Sequence, residues 1–126
     1  TATITQSLIS GNTTPSVGGG LINVGTLYIK DSTISGNTAS SDGGGIVTST
    51  TASTTVLKNV TLSNNTGRNG GGIFLDGGSL QMANTLISGN QLIPVGGSAT
   101  EIRINSGDVD ENQNNLIGHS GITTTQ

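Results

Sequence analysis

The chain has 126 residues, seven acidic against four basic for a formal charge of −3, 2% aromatic residues, 21 glycines and no cysteine. Lys30, Lys58, Arg68 and Arg103 are scattered along it, so no phosphate-tracking stripe exists and nucleic acid is excluded as a partner. Tyr28 and Phe74 alone make no stacking platform for bases or sugar rings, and no apolar run of about 18 residues encodes a membrane span.

From its first residues the chain alternates apolar and polar positions, and four times it writes nearly the same phrase. The copies are Ser7-Leu8-Ile9-Ser10-Gly11-Asn12, Ser32-Thr33-Ile34-Ser35-Gly36-Asn37, Val60-Thr61-Leu62-Ser63-Asn64-Asn65 and Thr85-Leu86-Ile87-Ser88-Gly89-Asn90, their last asparagines 25, 28 and 25 positions apart. A glycine cluster follows each: Gly18-Gly19-Gly20, Gly43-Gly44-Gly45, Gly70-Gly71-Gly72 and Gly96-Gly97. A fixed period of this size marks a stacked repeat, in which neighbouring copies cover the apolar face that one copy leaves bare. The same register argues against disorder, to which so few large apolar side chains would otherwise point.

The clearest copy runs from Thr26 to Gly45. Leu27, Ile29 and Ile34 can face inward while Tyr28, Lys30 and Ser35 face out, a strand-like alternation. Corners are expected at Asp31-Ser32 and Gly36-Asn37, and a further strand at Ile46-Val47-Thr48, making three short strands per copy. Aligned copies give four columns: Ala2, Leu27, Thr55, Leu80; Ile4, Ile29, Leu57, Met82; Ile9, Ile34, Leu62, Ile87; and Leu21, Ile46, Ile73. If each copy is one coil of a parallel β-helix, each column is a stack of side chains about 4.8 Å apart that seals a narrow core. The expected fold is all-β, a parallel β-solenoid of about 25–28 residues per coil and roughly five coils, a single domain over 1–126 with regular coils to about 98 and a less regular tail over 99–126.

Asn12, Asn37, Asn65 and Asn90 form a polar column. Asparagine tolerates the left-handed backbone of a tight corner, and stacked carboxamides can donate to and accept from the copies above and below. A structural ladder therefore needs no ligand to explain it. Glycine triplets suit a corner repeated at every level, and since no cluster is followed by Lys they are not a phosphate cradle.

These motifs resemble the right-handed parallel β-helix repeats of secreted and surface-anchored bacterial proteins, akin to the polymorphic outer-membrane protein repeat. The matching residues are Gly44-Gly45-Ile46-Val47 and Gly71-Gly72-Ile73-Phe74 with Asn37 and Asn65, while Ile34 and Leu62 stand where that repeat usually has Phe. The resemblance covers roughly residues 1–98, Asn115-Leu116-Ile117-Gly118 is similar to an ending seen after such repeats, and a right-handed, bacterial, extracellular solenoid is what it implies.

Chemistry is sparse. Carbohydrate-cleaving enzymes need carboxylates converging on one gap, yet Asp31 aligns with Gln6, Asn59 and Asn84, while Asp42 and Asp76 fall at other corners. The sole histidine, His119, lies in the tail. The acidic run Asp108-Val109-Asp110-Glu111-Asn112-Gln113-Asn114 lacks the turn glycine and closing Glu of an EF-hand; calcium is the one metal it could hold, through Asp108, Asp110 and Asn112, and no other cofactor is expected. Sequons at Asn12, Asn59 and Asn64 are expected by chance in so Asn- and Thr-rich a chain. An ice-binding threonine row beginning at Thr3 and Thr5 stops at Lys30, Lys58 and Ala83.

The chain opens directly in strand pattern, without a leader, and reads as a mature or excised segment. The expected function is a non-enzymatic extracellular structural module, secreted or at a bacterial cell surface, that stacks head to tail with itself into a fibre or stalk. The alternatives are a carbohydrate-binding or carbohydrate-processing module and a surface adhesin.

Overall fold

The computed structural model describes residues 1–93, 101–118 and 122–124, with 111–113 and 122–124 as backbone. Gly96-Gly97 and His119 lie outside the described residues. Strands and turns make up all of the described chain, with no helix.

The first winding is β1 (Ala2–Thr5), β2 (Leu8–Ser10), β3 (Thr13–Thr14) and β4 (Leu21–Asn23); the second is β5 (Thr26–Ser35), β6 (Thr38–Ala39) and β7 (Ile46–Ser49). The third uses β8 (Thr54–Ser63), β9 (Thr66–Gly67) and the start of β10 (Ile73–Ala83); the fourth uses the rest of β10, β11 (Leu86–Ser88), β12 (Gln91–Leu92) and the start of β13 (Ile102–Gln113). The remainder of β13, β14 (Leu116–Ile117) and β15 (Ile122–Thr124) begin a further turn. All pairings are parallel, strand over equivalent strand, so the chain is a parallel β-solenoid of about four turns.

Register follows the aligned columns. Ile4 pairs with Ile29, Ile29 with Leu57 and Leu57 with Met82; Ile9, Ile34, Leu62 and Ile87 stack likewise and continue to Ile117. Leu21, Ile46 and Ile73 continue to Ile102. In the second to fourth windings these residues are fully buried in one cluster, because period-two alternation puts every inward side chain against its counterpart one winding away. Thr5 pairs with Lys30, which ends the threonine row.

The column through Thr55 is not wholly apolar. Asn23 Nδ2 donates to Thr55 Oγ1 (2.8 Å) and to Thr54 O (2.9 Å), and the Thr48 and Thr55 hydroxyls lie 2.7 Å apart. The buried polar groups satisfy one another, as burial demands. The second winding has the expected three strands, but they are not the three that were expected. Strands expected separately on either side of Asp31 run as one in β5, with Asp31 at φ 50° as its bend, and the two-residue strands β3, β6, β9 and β12 form a separate four-stranded sheet. Two residues carry too little periodicity to be read from sequence.

The 28-residue spacing has a local cause. Asn23 pairs with Thr48 but Thr26 with Thr54, so the three extra residues sit in the turn after β7, where Ser53 N and Oγ both donate to Thr50 O.

Candidate functional site

The inner polar column is a hydrogen-bonded ladder. Asn12 donates its backbone N–H (3.1 Å) and a carboxamide N–H (2.9 Å) to Asn37 Oδ1. Asn37 repeats both donations to Asn65 Oδ1, and Asn65 to Asn90 Oδ1, all at 3.0–3.1 Å. The second carboxamide N–H turns back to a carbonyl of the preceding winding: Asn37 to Ile9 O, Asn65 to Ile34 O, Asn90 to Leu62 O. Asn37, Asn65 and Asn90 are buried.

These asparagines are not the left-handed residues of the corner. Positive φ belongs to the residue before each, Gly11, Gly36, Asn64 and Gly89, because that residue turns the chain so that the asparagine side chain enters the core. The phrase Ser-Gly-Asn thus divides two tasks, turning and bonding, between its last two residues.

Glycine clusters divide their tasks too. Gly43 and its equivalents Gly18 and Gly70 have φ of 63–67°. A Cβ on Gly44 would lie 2.4 Å from Thr66 N and 2.5 Å from Gly71 O, and one on Gly45 3.2 Å from Asn65 Nδ2. The third glycine therefore forms the wall against which the next ladder asparagine lies.

In the fourth winding that wall position is occupied by Glu101, not by a glycine of the Gly96-Gly97 pair. Ile73 pairs with Ile102, and Ile73 N donates to Glu101 O just as Ile46 N does to Gly72 O. The Glu101 side chain, 3% exposed, turns inward and takes the place of a fifth asparagine. Its Oε2 accepts from Asn90 Nδ2 (2.6 Å) and Asn90 N (3.3 Å), and its Oε1 from Gly89 N (3.1 Å). Sequence reading missed Glu101; the available signal was the pair Glu101-Ile102 standing in the register of Gly45-Ile46 and Gly72-Ile73.

A second ladder runs along the outside. Gln6, Asp31, Asn59, Asn84 and Asn114 all have φ of 48–56° and stack at one corner. Asn59 Nδ2 donates to Asp31 Oδ1 (2.7 Å), Asn84 to Asn59 (3.1 Å) and Asn114 to Asn84 (3.2 Å). The Asn59 carboxamide holds the Asp31 carboxyl below the usual carboxylate range, and the Lys30 ammonium 3.5 Å away acts in the same direction. Elsewhere Asn69 donates to Asp42 (2.7 Å) and Asn105 to Asp76 (2.6 Å). Asp31, Asp42, Asp76 and Glu101 thus each accept from an asparagine carboxamide.

Asp108 and Asp110 lie two apart on β13, both exposed, beside Ser79 and Gln81 of the previous winding. Asn112 falls where the register shifts between Met82–Glu111 and Ala83–Gln113, and its side chain lies outside the described residues. Among the described residues no group of three His, Cys, Asp or Glu side chains is gathered to hold a metal.

Residues 31–49 and 59–76 match the family model of the Chlamydia polymorphic membrane protein repeat. No curated protein and no solved structure matches the chain. The matched segments contain Asn37 with Gly43–Val47 and Asn65 with Gly70–Phe74, the residues that build the ladder and its glycine wall. The chain is thus a parallel β-solenoid in which two stretches are similar to the Chlamydia polymorphic membrane protein repeat.

Proposed function

We propose that this chain is a non-enzymatic structural module of a bacterial cell surface, whose windings stack end to end into a fibre or stalk. The observation that carries this reading is the continuity of the axial columns. The apolar stacks run through the solenoid and reach the first winding, where Ile4, Ile9 and Leu21 are only part-buried beside the open edges of β1, β2 and β4. Open parallel edges over a half-covered core favour addition of another winding.

The carboxylates support the non-enzymatic part. Asp31, Asp42 and Asp76 sit at separate corners, each held by an asparagine, rather than facing one another across a gap as acid and base do in glycoside hydrolysis. Negative-stain electron microscopy and light scattering of the purified chain test assembly: end-to-end particles that lengthen with concentration are expected, and discrete monomers at high concentration would overturn it. Turnover of a glycan in an array screen would replace this reading with the carbohydrate-processing one.

A further inference from the structure

The flank of the solenoid that lies between the two ladders is a regular array. On β2, β5, β8 and β11 the residues Ile9, Ile34, Leu62 and Ile87 face the core, so the residues on either side of each face out. Ser10, Ser35, Ser63 and Ser88 form one outward row, paired winding over winding. Leu8, Thr33, Thr61, Leu86 and Leu116 form the other, and every member carries a methyl group. Successive windings lie about 4.8 Å apart, and the two rows, two residues along a strand, about 6.7 Å apart. The inner asparagine ladder starts two residues past the serine row and holds each winding over the next, as side-chain ladders do in other flat sheets.

The hydroxyls of this flank are uncommitted. At the adjoining corner Ser7, Ser32 and Thr85 each donate their Oγ hydroxyl to a carbonyl two residues back. Among the described residues the hydroxyls of Ser10, Thr33, Ser35, Thr61, Ser63 and Ser88 make no such bond. Neither row holds a charged or aromatic residue; Tyr28, Lys30 and Lys58 belong to the other halves of β5 and β8, where Lys30 and Lys58 interrupt the row that Thr5 begins. A face without charge gives an ionic partner nothing to pair with, and one without a ring gives sugars nothing to stack on. Sheet-on-sheet packing interdigitates core side chains, and would bury these hydroxyls without partners. A neutral partner whose own oxygens repeat in two dimensions fits all of these features.

We infer that this flank binds ice. On the prism face of ice the oxygens repeat with periods close to those of the rows, so water held on successive hydroxyls lies in near register with the crystal, and the methyl groups between them order water without competing for its hydrogen bonds. The activity belongs to the side of the solenoid and not to its ends. It therefore goes beyond end-to-end stacking and does not depend on it.

Ice grown slowly on a cooled probe from a solution of the purified chain and an unrelated small protein tests the inference. The chain should be enriched in the ice over the bystander, and single ice crystals in its solution should stay unchanged over an interval between freezing and melting. Equal exclusion of the two proteins from the ice would overturn it. Ser63→Tyr raises a ring from the middle of the face and should remove most of the enrichment, whereas Val56→Tyr, outward on the other half of β8, should keep it. Circular dichroism and urea midpoints check that each variant folds, and Thr33→Lys serves in place of a Ser63→Tyr chain that does not. Enrichment retained in the folded face variant, or lost equally in Val56→Tyr, would overturn the assignment to this flank. Retention on crystalline cellulose or chitin without enrichment in ice would replace ice with a glycan surface, and none of these outcomes touches the fibre reading.

Discussion

The inner and outer ladders use the same carboxamide chemistry with opposite settings. Asn65, buried, donates three N–H groups, and its Oδ1 accepts two. Asn59, exposed, donates one bond and accepts one. Water can replace every partner on the outside and none on the inside, so the inner ladder is held by the cost of leaving buried groups unmet and the outer one chiefly by what asparagine allows the backbone to do. Both lie along the same axis, and burial alone separates an obligatory network from an incidental one.

Four changes break or sharpen that contrast. Asn65→Leu strands the two Asn37 donors and the Ile34 carbonyl in the core, and should cost about 3 kcal/mol or more; urea denaturation that shows under about 1 kcal/mol would place the inner ladder on a par with the outer. Glu101→Gln leaves a single acceptor oxygen for three N–H groups and puts an NH2 against donors. A loss of about 1–3 kcal/mol is expected, with faster amide exchange at Gly89 and Asn90.

On the outside, Asn59→Ala should cost about 1 kcal/mol, mostly because alanine keeps the Cβ in the left-handed region without the short polar side chain that makes asparagine tolerant of it, while Asn59→Gly should cost less than the alanine despite losing the same hydrogen bonds. If both cost the same, the bond and not the backbone is the outer ladder's contribution. The smallest effect is on pH dependence. The folded Asp31 carboxyl titrates below its unfolded value, so its contribution is present above the ordinary carboxylate range near pH 4 and is lost as pH falls through the lower folded value. NMR titration should show the Asp31 transition move up toward the ordinary range in Asn59→Ala; an unmoved transition would deny Asn59 its role.

Much of the architecture was legible because a solenoid repeats its own evidence. The four apolar columns pair as aligned, and even Asp31 over Gln6, Asn59 and Asn84 was readable as a stack, though not as a hydrogen-bonded one. Left-handed φ was assigned one residue too late in the Ser-Gly-Asn phrase, since both glycine and asparagine tolerate it and only the bend shows which one turns. Glu101 was hidden for a different reason. The fourth winding is longer between Leu92 and Ile102, so that counting forward from Asn90 lands on Gly96-Gly97 rather than on the residue that walls the ladder.

The amino-acid pattern by itself determined that successive copies stack in parallel and which side chains fill the core, because period-two alternation in register leaves one arrangement that buries every aliphatic column. Tertiary structure decided where the ladder stops. A glutamate eleven residues past Asn90 becomes its last acceptor among the described residues only when the chain closes a full winding and sets that carboxylate, out of water, against three N–H groups.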